Sequence, residues 1–222
     1  MEKYFLNPDL TYTLYKMLYQ IIDIFNNNGI TYWASGGTFL GAVRNKGIIK
    51  WDDDLDLCVP YKFEKKIEKI FKNHPEFDYS TASLCHKIFY KKDKKEKGRN
   101  FSFPFCDIFY VHIEKDRYVC SVPSAKETWP NEYYIINDSF PLKEYNFGAY
   151  KIYGPKNYEE YFRRSYSDKW DKEGVISYDH QNERFVKKIV FQLTKSLKEP
   201  AFPFYYPGTI ESFGNRDKWW SF

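Results

Sequence analysis

Residues 34–59, ASGGTFLGAVRNKGIIKWDDDLDLCV, constrain this chain more than any other stretch. They hold the pair Gly36-Gly37, a short apolar turn, a bend carrying Arg44, and four aspartates at 52, 53, 54 and 56. Asp54 and Asp56 alternate with Leu55, Leu57 and Val59. On a strand, that period puts both carboxylates on one face and the aliphatics on the other. Neighbouring like charges repel, so a fold rarely brings them together for stability alone. A divalent cation relieves the repulsion, and hard cations take carboxylate oxygens. The expectation is a Mg²⁺ (or Mn²⁺) site that handles phosphate, with the glycines opposite the acids.

The flanks suit that reading. Ile30–Ser35 reads as a short strand, Thr38–Val43 as an apolar helical turn, Arg44–Trp51 as a loop and Leu55–Val59 as the next strand. Gly36, Gly37 and Thr38 thus join a strand to a helix. Glycines let a phosphate approach the backbone, and a helix start offers unpaired N–H donors to an anion. A glycine pair alone is a weak signal; the acids downstream strengthen it. Phosphoryl or nucleotidyl transfer needs both a phosphate cradle and carboxylates that hold a metal ion.

Asp107 is the third candidate acid. It interrupts the apolar run FPFCDIFYVHI, where an unpartnered carboxylate is costly. If its strand lies beside that of Asp54 and Asp56, the three form a carboxylate triad that holds metal or receives the proton of an attacking hydroxyl. Arg44 and Lys87 are candidates for binding anionic substrate, and a surface role serves Arg44 equally well. Asp52 and Asp53 read as support, Asp53 facing away from the site. Histidines 74, 86, 112 and 180 form no close pair, which gives no support to a His-metal site. The Tyr158–Tyr166 segment, with Arg163 and Arg164, reads as a packing helix or part of an acceptor wall. No nucleophile elbow and no P-loop are present.

Composition excludes several classes. The 222 residues are 29% charged with a net charge of only +4, and acids and bases are interspersed apart from a lysine run at 91–97. A nucleic-acid protein would carry a stronger basic stripe, so the run reads as a solvated turn. The four cysteines form no CxxC pair, which argues against structural zinc, and no disulfide is demanded. The 21 tyrosines and 20 phenylalanines fit codon bias in an AT-rich genome better than an aromatic binding surface. The sequence shows no apolar leader and no transmembrane stretch, so the default expectation is a soluble cytoplasmic protein.

Elsewhere, residues 8–28 read as a helix capped by Asn7, with Leu10, Leu14, Met17, Leu18, Ile21, Ile22 and Phe25 on one stripe. A helix is expected over Pro60–Phe71. Strands are expected over Phe77–Thr81, His86–Lys91, Phe105–Ile113, Arg117–Val122, Leu142–Phe147 and Tyr150–Tyr153. A helix capped by Asn157 should cover 157–166. A last long helix is expected over Asp179–Leu197, with Phe185, Ile189, Val190 and Leu193 on one stripe. The tail from Pro200 to Phe222 reads as an irregular cover.

The stretch SGGTFLGAVRNKGIIKWDDDLDLCV resembles the signature of the LicD family, GG-T-LLGAVR-h-G-h-I-PWDDDIDh. CDIF at Cys106–Phe109 resembles that family's later hydrophobic-Asp-hydrophobic strand, and Gly154–Trp170 resembles its downstream block. Lys50 stands where proline is common and Ser167 where glycine is common; neither change removes a metal ligand. The resemblance implies an α+β, polymerase-β-like nucleotidyltransferase fold: a small mixed sheet, flanking helices and a C-terminal helical or irregular cover. It implies one domain over residues 1–222, with a catalytic core at about 30–170. It also implies chemistry: transfer of a phosphorylated alcohol, such as phosphocholine or ribitol phosphate, from a CDP-activated donor (or a related nucleotide sugar) to a glycan hydroxyl. By that carry-over Gly36, Gly37 and Thr38 bind donor phosphate, Asp54 and Asp56 bind Mg²⁺, and Asp107 completes the metal site or acts as base. The alternatives are nucleotidyl transfer from an NTP, a metal-dependent glycosyltransferase, and an idle nucleotide- or glycan-binding module. Asp54 comes too early for the glycosyltransferase, and three retained acids argue against the idle module.

Overall fold

The computed structural model describes residues 4–95 and 98–207. The chain is a mixed α+β structure. Helix α1 (Pro8–Asn27) begins where Asn7 Oδ1 accepts the Leu10 N–H at 2.8 Å, with Pro8 in the first turn. Its buried stripe, Leu14, Met17, Leu18, Ile21, Ile22 and Phe25, is the spacing expected of a core-facing helix. Asn28 and Gly29, the latter at φ +63°, end it.

A two-residue strand, β1 (Trp33–Ala34), leads into α2 (Gly36–Leu40), which continues as one π-helical turn, Gly41–Asn45. Arg44 is therefore helical, not in the expected loop, and Lys46 in the left-handed region (φ +63°) breaks the helix after it. Strand β2 (Leu55–Pro60) follows. The helix expected over Pro60–Phe71 starts later: Tyr61–Phe63 is a 3₁₀ turn and α3 is Glu64–Lys72. Then come β3 (Phe77–Thr81), β4 (His86–Tyr90), β5 (Phe105–Glu114) and β6 (Arg117–Cys120). The short elements α4 (Pro123–Thr128), β7 (Tyr133–Ile135) and α5 (Ile136–Ser139) carry no strong sequence period, and sequence reading misses them.

These seven strands form one mixed sheet in the order β1-β2-β5-β4-β3, with β6 and β7 added beyond β5. β2 and β5 are parallel; the other pairs are antiparallel. Register decides the site. Asp56 is opposite Asp107, and Asp107 is opposite Lys87. Paired residues share a sheet face, so the three stand in one row across β2, β5 and β4. The alternate residues Leu55, Leu57, Ile108 and Tyr110 are buried in the core.

Strands β8 (Lys143–Phe147) and β9 (Tyr150–Gly154) form a separate hairpin, and α6 covers Glu159–Tyr166. Tyr158 occupies the cap position of α6, so Asn157 does not cap it as expected. The long helix expected over 179–197 is not formed. Instead β10 (Glu173–Asp179) and β11 (Arg184–Gln192) make an antiparallel ribbon, correcting the C-terminal helical cover. Val175 and Ile176 pair with Val190 and Ile189. Trp51 packs on Phe191 with ring centres 4.9 Å apart, and its Nε1–H donates to Val175 O at 3.1 Å. β-Branched and aromatic residues favour this outcome, and the partner that fixes it is distant in sequence. Residues 200–207 run without regular structure against α1: Tyr15 O–H donates to Ala201 O at 3.1 Å, and Tyr205 packs on Tyr12 and Tyr19. The rest of the expected cover, 208–222, lies outside the described residues, as do positions 96 and 97 of the lysine run. All four cysteines are buried and free. No helix among the described residues is long and apolar enough to cross a membrane.

Candidate active site

Asp56 and the acidic loop before it open into a cleft of about 480 Å³. Its floor is Asp52, Asp54 and Asp56. One wall is the glycine turn with Arg44; another is aromatic, from Trp51, Tyr166 and Trp170; Tyr134 and Trp129 lie on the β7 side, and Tyr178 and His180 of the ribbon complete the rim.

The glycine pair makes room for the acids. Gly36 has φ +49°, and a Cβ there would sit 2.5 Å from Asp56 Oδ2. A Cβ on Gly37 would collide with the Asp52 carboxylate. The Gly37 N–H donates to Asp56 Oδ2 at 3.1 Å, and the Asp56 N–H donates to Thr38 Oγ1 at 2.8 Å. Gly37 and Thr38 therefore hold Asp56 in place while Gly36 leaves room for it, and both glycine amides already have partners. The Gly36 N–H donates to the Tyr161 hydroxyl at 3.3 Å, which in turn donates to Glu132 at 2.5 Å. A close-packed carboxylate is thus one physical reason for glycine at both positions.

Asp54, Asp56 and Asp107 converge: one carboxylate oxygen from each lies within 4.8 Å of the others. Asp54 and Asp107 are buried. Burial, then His180 in opposition, then the charges of Asp56, Asp52 and Asp107, leave Asp54 well above the ordinary carboxylate range. Burial, followed by Asp107 and Asp52, pushes Asp56 up to about 8. Burial and Asp53 push Asp52 up to about 6, against the pull of His180 and Arg44. Crowded, desolvated oxygen donors of this kind fit a hard divalent cation, which would favour their ionised forms.

Lys87 is not a free cation facing substrate. It is 2% exposed and donates to both oxygens of Asp107, at 2.8 and 3.1 Å. Its Nζ also lies 3.4 Å from the centre of the Phe105 ring and 3.4 Å from Glu183 Oε1. Asp107, Glu183 and Cys85 outweigh burial and raise its pKa. Arg44 donates from Nη1 to Trp170 O at 2.8 Å and from Nε to Asn45 Oδ1 at 2.9 Å. Burial lowers it to about 10, so it remains charged at neutral pH beside the cleft.

Sequence reasoning missed His180. The ribbon carries it to the acidic loop, where Nδ1 lies 2.6 Å from Asp53 Oδ1 and Nε2 lies 3.3 Å from Asp54 Oδ2. Asp54, Asp53 and Asp52 raise it to about 10 although burial acts the other way. Asp53, expected to face away, is thereby engaged at the site. No local signal predicts this contact, which spans 127 positions. Trp51, Trp129, Tyr134 and Glu132 were also unassigned; only Trp51, beside the aspartates, had a neighbour that could have flagged it.

A family model described as LicD/FKTN/FKRP, nucleotidyltransferase domain, matches residues 29–157. The uncharacterized protein RP689 of Rickettsia prowazekii (strain Madrid E) is 31% identical over 209 residues, which are 91% of this chain and 74% of that protein. The ribitol 5-phosphate transferase FKRP of Homo sapiens is 22% identical over 181 residues, 79% of this chain and 34% of that protein. The lipopolysaccharide cholinephosphotransferase LicD of Haemophilus influenzae is 36% identical over 55 residues, 24% of this chain and 21% of that protein. The named relatives are transferases of phosphorylated alcohols. The chain belongs to the LicD/FKTN/FKRP nucleotidyltransferase-domain family.

Proposed function

We propose that this protein moves a phosphorylated alcohol, of the phosphocholine or ribitol-phosphate kind, from a CDP-activated donor to a glycan hydroxyl. The observation that carries the reading is the convergence of Asp54, Asp56 and Asp107, the first two of them lining a cleft that Arg44 and aromatic rings also line. The sheet is read as a polymerase-β-like nucleotidyltransferase core within one domain. Its support is the glycine turn after β1 and the parallel pairing of the two acid-bearing strands.

Asp54, Asp56 and Asp107 would hold Mg²⁺ or Mn²⁺. When bound, that ion supplies positive charge to the phosphate oxygens as they gain charge in transfer. Lys87 neutralises part of Asp107, and its paired oxygens suit Asp107 to holding an ion better than to accepting a proton. Gly37 and Thr38 fix Asp56 and Gly36 leaves room for it, so the glycine turn acts on the donor phosphates by way of the acids. Arg44 stands over the cleft as the charged group for the outer phosphate. Trp51, Trp170, Tyr166 and Trp129 offer flat apolar faces to the base and to a sugar ring. In the transfer, the acceptor oxygen bonds to the phosphorus bearing the alcohol, and the bond from that phosphorus to the bridging oxygen breaks. CMP leaves, and the acceptor's proton passes to a cleft carboxylate other than the Lys87-paired Asp107. Positioning and charge supply most of the acceleration.

Thermal shift with a panel of ligands tests the donor. CDP-choline and CDP-ribitol should raise the melting temperature in a Mg²⁺- or Mn²⁺-dependent way, and NTPs should do so less. A shift with NTPs alone, accompanied by pyrophosphate release, would replace this reading with nucleotidyl transfer.

A further inference from the structure

The tip of the β10–β11 ribbon sets an imidazole against the acidic loop. One ligand atom each from Asp53, Asp54 and His180 lie within 4.8 Å of one another. Asp54 therefore belongs to two overlapping groups, one of carboxylates alone and one that includes the ring. The backbone that carries His180 is held by other partners. Arg99 donates to Gln181 O and Asn182 O, both at 2.7 Å, and Glu183 lies 3.4 Å from Lys87. His180 is thus presented to the cleft by a tip anchored immediately after it, at residues 181–183.

A metal-bound imidazole usually donates its second ring N–H to a carboxylate, which fixes the ring and strengthens the ligand. Asp53 stands in that position, 2.6 Å from Nδ1, while Nε2 points to Asp54. We propose that His180 is a nitrogen ligand of the ion that Asp54 holds, with Asp53 as its orienting carboxylate. The inference rests on the carboxylate ion site of the preceding section. It extends the ligand set to β10–β11, beyond the residues 29–157 that match the family model. The ion takes the place of the Nε2 proton. Carboxylates alone suit Mg²⁺, whereas an imidazole turns preference toward first-row transition metals. This chain therefore favours Mn²⁺ over Mg²⁺.

Pulsed electron paramagnetic resonance of the full chain loaded with Mn²⁺ reads the ligand directly. The expected result is ¹⁴N modulation from a bound imidazole, absent in His180→Gln. By calorimetry, His180→Gln and Asp53→Asn should each weaken Mn²⁺ binding by about 10- to 100-fold, with a smaller change for Mg²⁺. Asp53→Asn keeps the ring and loses only its orienting charge. Circular dichroism of both variants separates a lost ligand from a lost fold, and the wild-type spectrum decides the matter if His180→Gln fails to fold. Mn²⁺ that binds in an Asp56-dependent way without imidazole modulation overturns the role of His180 and leaves the carboxylate site standing. Wild-type Mn²⁺ affinity in folded His180→Gln also overturns it. Absence of any Mn²⁺ binding overturns both.

Discussion

The acid-bearing strands and the ribbon meet at the same cleft but are built differently. In β2, β5 and β4 the row Asp56, Asp107, Lys87 is set by register, and its neighbours on the opposite face are buried in the main core. The β10–β11 ribbon has little core of its own: Phe185 is 84% exposed, Val190 50% and Val175 43%. It is held by strand pairing and by a few anchors, Trp51 on Phe191, Arg99 on the tip carbonyls, Glu183 on Lys87 and His180 on Asp53. The sheet therefore offers rigid placement of charge. The ribbon is a contributor whose position depends on the charges it touches. Elements with few buried apolar contacts open at lower free energy than the core.

The sharpest way to break this contrast is to neutralise the row. Asp56→Asn should lower transfer by about 10²- to 10³-fold or more. In metal-free buffer at pH 8 it should raise the melting temperature, because it removes a desolvated charge that burial and two neighbouring acids oppose. Loss of activity together with loss of stability would mean that Asp56 is mainly structural.

Next comes pH. The folded-state pKa values of Asp54 and Asp56 lie above the ordinary 3.8, so the folded state binds more protons than the unfolded one. Their contribution to stability is complete below about pH 4 and is lost as pH rises through the folded values, near 8 for Asp56. His180 acts in the same direction, with its contribution lost as pH rises through about 10. Metal-free protein should thus lose stability between pH 5 and pH 8 from this cluster, and added Mn²⁺ should raise the melting temperature more at pH 8 than at pH 6. Chemical denaturation at the two pH values, with and without chelator, measures it.

A smaller effect separates the two regions. Trp51→Ala removes the Phe191 contact and the hydrogen bond to Val175 O. The cost should be below the ~3–5 kcal/mol of a fully buried aromatic. Amide hydrogen exchange should quicken across residues 173–192 and stay unchanged in β2, β4 and β5. The smallest is a control on neither region: Asn7→Ala removes the cap of α1 and should cost about 1 kcal/mol with transfer activity unaltered.

The same contrast explains what was legible in sequence. Asp54, Asp56 and Asp107 stood out because alternation and an acid inside an apolar run are local patterns, and α1, β3 and β8 were readable from period, cap and turn residues. Lys87 was noticed as a strand cation, but its partner depends on the β4–β5 register. The Gly36-Gly37 turn was read as room for phosphate; it also gives room to Asp56 and Asp52, a contact between segments about twenty residues apart that the glycines alone do not specify. The ribbon was misread because Phe185, Ile189, Val190 and Leu193 satisfy a helical stripe. Cross-strand pairing with Val175 and Ile176, and the Trp51 anchor, decide otherwise, and both depend on tertiary neighbours. His180 was invisible for the same reason.

CMP release from CDP-ribitol and CDP-choline, compared between wild type and Asp56→Asn with Mn²⁺ and with chelator, tests metal-dependent transfer most directly. The expected result is release from at least one donor by the wild type with metal, and near-background release after chelation or in the variant. Release that survives both would contradict an ion held by Asp54, Asp56 and Asp107 as the basis of transfer.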